Sequence, residues 1–267
     1  MNVAKPDVVI DKSFLQGASK DILQLLFKNH RILMPHAHFY ELMTTNATER
    51  AQCFKRIPGI KNPVALVEPV GTILQWEVKN QLPLLNIDQV VLQQSFQFNP
   101  ELAIEDFNMG EDESRNTEDT KRKVSNLVGD FAIHGSQVTV RFPEIRNFRP
   151  GNNPIQIEII QKRICNNPDF IREFYSSGRL DPTWPLAEHI DERWALFRWL
   201  QIRVMAALDY FRKYGEKEMS SKTTKIENEY LDLEYCLIGC LVGSIATRDK
   251  GMAERFLALC PSGKIFS

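Results

Sequence analysis

The first 45 residues contain an order of elements that only a few folds accommodate. Residues 7–11 form a β-branched apolar run between two aspartates, which is typical of a buried central strand. Ser19 can cap a helix over 20–29, a second apolar run follows at 31–34, and Pro35 suits the first turn of another helix. Strand, helix, strand and helix in this order predict a parallel α/β sheet.

The end of the chain returns to the same alternation. Helices are predicted over 226–241 and 253–259, and short strands over 243–247 and 264–266. A third strand at 64–67 and a helix over 70–79 complete the first part of the chain. The two ends, 1–79 and 226–267, are therefore predicted to form one α/β core, interrupted by residues 80–225.

The interrupting segment is too long to be a loop, because structureless loops beyond about 15 residues are uncommon in compact domains. We predict a mostly helical insertion lobe. Its strongest element is an amphipathic helix over 191–214, which Asp191 can cap. The other predicted elements are a solvated acidic loop over 101–119, a strand over 138–142, and helices over 155–164 and 168–176.

Composition limits the function classes. The chain has 267 residues, 43% of them hydrophobic, and its net charge is −1, so a polyanionic partner would have to meet a local basic patch. The five cysteines are odd in number and widely spaced, which argues against a disulfide framework or a zinc site. The N-terminus lacks the pattern of a signal peptide and no apolar run is long enough to span a bilayer, so we expect a cytoplasmic protein without membrane contact.

Four acids occupy positions where chemistry is expected. Asp11 and Asp249 each follow a predicted strand, Glu41 lies on the helix after the second strand, and Asp232 shares a helix face with Glu229. Sites in open α/β sheets form outside the carboxyl ends of strands, so these acids are expected to converge. Clustered carboxylates repel one another, and a hard divalent cation such as Mg²⁺ or Mn²⁺ relieves that repulsion. Such a cation can activate water and neutralise charge developing on a phosphate, which favours phosphodiester hydrolysis.

Four segments together resemble the ordered motifs of PIN-domain nucleases: 8–11, 34–41, 228–235 and 245–249. Thr247-Arg-Asp249 is the most characteristic, and it places the last two acids 17 residues apart (249 − 232 = 17), close to the family's interval. The resemblance implies a Rossmann-like parallel sheet of about five strands. It also implies cleavage of single-stranded RNA with Mg²⁺ or Mn²⁺ held by Asp11, Glu41, Asp232 and Asp249, with Glu229 as a further or alternative helix ligand. Many relatives act as toxins, in defence, or in RNA processing.

Other residues are candidates for supporting roles. Ser13 suits either a phosphate or metal-bound water, or a turn, and Thr247 is expected to orient Asp249. His36 and His38 are two apart on a helix and are expected to pack rather than to share a metal ion. Interleaved arginines and phenylalanines at Arg141, Arg146 and Arg149 suit single-stranded nucleic acid, although ordinary packing explains them as well. Arg198 and Arg203 on the 191–214 helix are the remaining candidates for substrate binding.

Three other functions fit parts of the sequence. A DNA nuclease of the same fold would use the same acids, and an inactive scaffold or RNA-binding module would keep the fold without the chemistry. A phosphatase that uses Asp-x-Asp at the first strand is disfavoured by Ser13 in the third position. Self-association or an inhibitory partner protein is compatible with all of these functions.

Overall fold

The computed structural model describes residues 5–60, 62–92, 99–136, 138–146, 155–178, 181–215 and 223–267. Contacts divide the chain into two compact units. The first unit comprises Met1–Ile73, Leu85–Thr120 and Glu234–Ser267, and the second comprises Leu74–Leu84 and Lys121–Leu233. The predicted division into 1–79 with 226–267 and an insertion at 80–225 stays a prediction.

A parallel sheet forms the centre of the first unit. Its five strands are β1 (Asp7–Ile10), β2 (Arg31–Pro35), β3 (Ala65–Val67), β4 (Ser244–Ala246) and β5 (Lys264–Phe266). They lie in the order β3-β2-β1-β4-β5, and every neighbouring pair is parallel. The apolar run of β1 is buried, and β1 lies at the centre of the sheet between β2 and β4. The predicted α/β class with a parallel sheet is confirmed.

Helices of the first unit connect these strands. They are α1 (Lys12–Gly17), α2 (Lys20–Asn29), α3 (His36–Thr44), α4 (Ala47–Lys55) and α12 (Lys250–Leu259). Ser19 caps α2 as predicted, by accepting from the Ile22 amide. The short helix α1 was not predicted, because six residues are too few to show a helical period.

Three further helices have residues in both units: α5 (Val70–Asn80), α6 (Glu111–Ser136) and α11 (Thr223–Val242). The predicted acidic loop over 101–119 is wrong from Glu111 onward, because α6 begins there and extends for 26 residues. Its acids and bases alternate at four-residue spacing, as in Glu118 with Arg122, a pattern that supports a solvated helix. None of the helices in the described ranges is long and apolar enough to cross a membrane.

The second unit is helical. Besides parts of the shared helices it contains α7 (Val138–Arg141), α8 (Ile155–Asn166), α9 (Pro168–Gly178) and α10 (Ala195–Tyr214). The predicted strand over 138–142 is wrong, since that segment is the short helix α7, with Val138 and Thr139 buried and Val140 exposed. The helices predicted over 155–164 and 168–176 are confirmed as α8 and α9.

The start of α10 differs from the prediction. Asp191 does not cap it but binds the Arg193 guanidinium, and the residue before α10 offers no side-chain cap. The buried carboxylate of Glu77, on α5, accepts instead from the amides of Ala195 and Leu196, both at 2.8 Å. A carboxylate at the positive end of a helix stabilises it, so this cap comes from a residue distant in sequence.

Candidate active site at the carboxyl ends of the strands

Two of the predicted acids follow neighbouring strands. Asp11 comes directly after β1 and caps α1, whereas Asp249 follows β4 and caps α12. The chain leaves β1 toward β2 and β3 on one side, and β4 and β5 lie on the other side. The strand order therefore reverses between β1 and β4, which is the position where open α/β sheets bind their ligands.

The Asp11 carboxylate is buried and surrounded by donors. Its Oδ1 accepts from the Phe14 amide at 2.7 Å, and the Ser13 hydroxyl lies 2.9 and 3.0 Å from the two oxygens. Its Oδ2 accepts a short hydrogen bond from the Thr247 hydroxyl. Ser13 lies in the first turn of α1 and Thr247 directly after β4, so the fold brings residues from opposite ends of the sequence to one carboxylate.

The two hydroxyls are themselves held by the turn after β4. Ser13 Oγ accepts from the amide of Arg248 at 2.9 Å, and Thr247 Oγ1 accepts from the amide of Asp249 at 3.0 Å. Thr247 was predicted to orient Asp249; it contacts the Asp249 backbone, and its own proton goes to Asp11. The turn is thereby tied to Asp11 through two hydroxyl bridges.

The electrostatics of Asp11 are unfavourable for a bare carboxylate. Burial raises its pKa above the ordinary value, and the nearby Asp249 raises it further. Hydrogen bonds from Thr247, Phe14 and Ser13 oppose this rise without cancelling it. A proton or a cation would relieve the site, since each supplies positive charge where water has been removed.

Glu41 faces a different environment. Its Oε2 accepts from the Tyr235 hydroxyl at 2.7 Å, and its Oε1 lies 3.3 Å from the Lys12 ammonium. The same ammonium is 3.9 Å from the Glu49 carboxylate and 3.4 Å from the Thr45 hydroxyl. Sequence reasoning missed Lys12, although it is the residue after Asp11 and its charge is opposite to that of the predicted ligands.

Two buried titratable groups, His38 and Glu234, lie in the first unit, on α3 and α11. The His38 ring donates from Nδ1 to the Ile10 carbonyl at 2.9 Å, and burial lowers the pKa of His38 to about 4. Glu234 accepts from the amides of Ala37 and Val70 at the starts of α3 and α5, and burial raises its pKa to about 7. Neutral His38 packs edge-on against Tyr235, as expected for a packing residue. The role of Glu234 was not predicted, because both of its partners are distant in sequence.

The predicted helix ligands Asp232 and Glu229 belong to the second unit, so their place in the site stays a prediction. The predicted substrate-binding arginines of that unit have local partners. Arg141 lies over the Phe174 ring, Arg198 approaches Glu192, and Arg203 lies over the Phe131 ring. Arg146 follows a short 3-10 turn at 143–145. Arg149 lies outside the described residues.

The donor set can be compared with what a hard cation needs. Within the described ranges, no group of three or more His, Cys, Asp or Glu side chains is close enough to hold a metal ion. Asp11 and Asp249 nevertheless place two carboxylates after neighbouring strands, beside the hydroxyls of Ser13 and Thr247. Mg²⁺ commonly binds through one or two carboxylates and keeps several waters, so this pair suits it.

Comparison with known proteins gives no family: no family model, curated protein or solved structure matches the chain. The buried Asp11 carboxylate lies at the reversal of strand order, close enough to Asp249 for that acid to raise its pKa. The buried carboxylate of Glu77, by contrast, accepts hydrogen bonds from backbone amides alone.

Proposed function

We propose that the chain is a metal-dependent nuclease of the PIN-like type that hydrolyses phosphodiester bonds in single-stranded RNA. The observation that supports this most is the pairing of the buried Asp11 with Asp249 at the carboxyl ends of β1 and β4. A buried carboxylate with a second acid beside it favours a divalent cation, because the cation offsets both the lost hydration of Asp11 and the repulsion from Asp249. The order of the motifs around Asp11, Glu41, Asp232 and Asp249 supports the same class.

Each residue has a definite part in this proposal. A bound Mg²⁺ or Mn²⁺ would supply a hydroxide-like water and neutralise charge on the phosphate. Asp11 and Asp249 would hold that ion, with the Ser13 and Thr247 hydroxyls keeping the Asp11 carboxylate in one orientation. Glu41, fixed by Tyr235, would accept a proton or a hydrogen bond from water at the edge of the site. Asp232, with Glu229, is the proposed ligand from α11.

The test is cleavage of end-labelled single-stranded RNA and DNA with and without Mn²⁺. We expect RNA to be cut only with the metal, and Asp249→Asn to abolish the cut. Glu254→Gln is the matched control, because Glu254 is another exposed acid on the helix that Asp249 caps, paired with Lys250. Cleavage of DNA alone would favour the DNA nuclease. If neither the RNA nor the DNA is cleaved in the presence of Mn²⁺, the proposal is refuted.

One observation favours a second candidate, an inactive RNA-binding module. The Lys12 ammonium already neutralises Glu41 and approaches Glu49, where an active site would need those charges for a cation. Under this alternative, RNA binds without being cut, and Lys12→Met raises affinity for Mn²⁺ without producing cleavage. Metal-dependent cleavage by the unaltered chain would exclude it.

A further inference from the structure

The turn after β4 places one arginine against the end of α1. Arg248 donates its backbone amide to Ser13, and its guanidinium donates a short hydrogen bond to the Gly17 carbonyl. A Cβ atom at Gly17 would lie only 2.6 Å from Arg248 Nη1 and 2.8 Å from its Cδ. The glycine therefore leaves the space that this guanidinium occupies.

A second arginine reaches the same carbonyls from another helix. Arg56, the residue after α4, donates from Nη1 to the Gln16 carbonyl at 2.6 Å and from Nη2 to the Ala18 carbonyl. Three consecutive carbonyls, those of residues 16, 17 and 18, thus hold two guanidinium groups side by side. We call Arg56 and Arg248 the arginine pair.

The arginine pair keeps its full charge. Carbonyl oxygens are neutral, and neither arginine has a carboxylate partner among the ion pairs of the described ranges. Other arginines of these ranges, in contrast, each form an ion pair with an aspartate or a glutamate. They are Arg31, Arg163, Arg172, Arg193, Arg198 and Arg212. Each guanidinium has five N–H donors, and the carbonyls use only one or two of them. The pair is therefore a local basic patch on a chain with a net charge of −1.

The arginine pair lies near the candidate site, at the other end of α1 from Asp11. Helix α1 is six residues long, about 9 Å, with Asp11 as its cap at one end and the carbonyls that hold the pair at the other. The Arg248 backbone is bonded to Ser13, which contacts Asp11. A single-stranded RNA with one phosphate at Asp11 could therefore place a neighbouring phosphate against the guanidinium groups.

We propose that the arginine pair is the phosphate-binding surface for the single strand next to the cut site. This inference rests on the proposed nuclease function, and it names the part of the substrate that these side chains contact. Arginine suits the task because its planar fork matches phosphate oxygens and it stays charged at all physiological pH values. The carbonyls pre-position each fork, which lowers the entropy lost on binding.

The test is the affinity of a fluorescent single-stranded RNA for the full chain without divalent metal, over a series of salt concentrations. The change is the double variant Arg56→Gln with Arg248→Gln. We expect affinity at low salt to fall at least tenfold and the salt slope to drop by about 1.4, since each phosphate contact on a single strand contributes about 0.7. A single-stranded DNA of the same sequence shows whether the contact is to phosphate alone. If it is, the double glutamine variant should lose affinity for the RNA and for the DNA by the same factor.

Two further variants separate binding from folding. Arg193→Gln removes one exposed guanidinium that has a carboxylate partner, and it should leave the salt slope unchanged. Arg56→Lys with Arg248→Lys keeps both charges and should restore most of the slope. If the arginines only cap α1, the glutamine variant lowers the melting temperature but keeps the affinity and the slope, and the proposal is overturned.

Failure of this inference is distinct from failure of the proposed function. An unaltered chain that cuts RNA while the glutamine variant binds with the same slope would overturn the arginine pair alone. An unaltered chain that neither cuts nor binds either nucleic acid would overturn both. Binding that depends on the pair without any cleavage would support the pair as part of an RNA-binding module and would refute the nuclease.

Discussion

Each unit of the molecule contains a buried carboxylate, and the two differ in what surrounds them. Glu77 in the second unit accepts three hydrogen bonds, all from backbone amides, those of Leu84, Ala195 and Leu196. Asp11 in the first unit accepts from one amide and from the hydroxyls of Ser13 and Thr247. Burial raises the pKa of both. Only Asp11 has a second carboxylate, Asp249, close enough to raise its pKa further.

This difference separates a structural acid from a candidate ligand. Three backbone amides are fixed donors to the two oxygens of Glu77, so a further cation has no role there. Hydroxyls can rotate their protons away from Asp11, and the neighbouring Asp249 places a second negative charge beside it. We therefore expect substitutions at Asp11 to change chemistry and substitutions at Glu77 to change stability.

The largest expected effect is that of Asp11→Asn on cleavage. We expect a rate loss of about 1,000-fold or more, equivalent to about 4 kcal/mol of barrier. Asparagine keeps one oxygen for the Phe14 amide and removes a buried charge, so the melting temperature without metal should hold or rise. Single-turnover cleavage and thermal unfolding of the same preparations check this. Full activity in the variant would place Asp11 with Glu77 among the structural acids.

Glu77→Ala should give the largest loss of stability. It leaves three amides without their buried acceptor, so we expect the free energy of unfolding to fall by about 3 kcal/mol. Denaturant unfolding measures this loss. The conservative Glu77→Gln should lose less, because an amide oxygen still accepts from the start of α10. A Glu77→Ala protein as stable as the unaltered chain would show that the cap is dispensable.

Tyr235→Phe tests the support of Glu41 with a smaller expected effect. The substitution removes one hydroxyl and its hydrogen bond to the Glu41 carboxylate. We expect cleavage to slow by about tenfold, equivalent to about 1.4 kcal/mol, while the ring packing against His38 is kept. The measurement is kcat at saturating RNA. An unchanged kcat would remove Glu41 from the working site.

The smallest expected effect concerns the pH dependence of stability. The pKa of Glu234 is raised to about 7, so its contribution is full below its ordinary value of 4.5 and is lost as pH rises through 7. The pKa of His38 is lowered to about 4, so its contribution is present above 6.5 and is lost as pH falls through 4. The two effects oppose each other between pH 4.5 and 6.5.

Glu234→Gln should reveal the His38 effect. Without the carboxyl group, the melting temperature should rise steadily from pH 4 to pH 6.5 and then stay level. The unaltered chain should instead lose stability between pH 6.5 and pH 7.5. Parallel melting curves for the two proteins over this range would contradict the assignment of Glu234.

The sequence predicted local features better than distant contacts. The β-branched run of β1 and the Ser19 cap of α2 depend on neighbouring residues, and both are confirmed. The strand predicted over 138–142 shows the limit, because alternation in Val-Thr-Val is equally compatible with one helical turn. The position of Asp11 at a strand end was predicted from the same local pattern.

Features that depend on tertiary partners were missed. The Glu77 cap on α10 joins residues 118 positions apart, so local spacing could not reveal it. The same is true of Arg248 and Gly17, which are 231 positions apart. The Lys12–Glu41 pair could have been suspected from the sequence. Lys12 directly follows Asp11 at the end of β1, and Glu41 lies on the helix that follows the neighbouring strand β2.

Binding of Mn²⁺, measured by electron paramagnetic resonance without RNA, decides whether Asp11 and Asp249 form a cation site. We expect that the unaltered chain binds Mn²⁺, that Asp11→Asn and Asp249→Asn each weaken binding at least tenfold, and that Glu77→Gln and Glu254→Gln leave it unchanged. A chain that does not bind Mn²⁺, or one that binds it equally well after both aspartate substitutions, would show that these acids do not form a cation site.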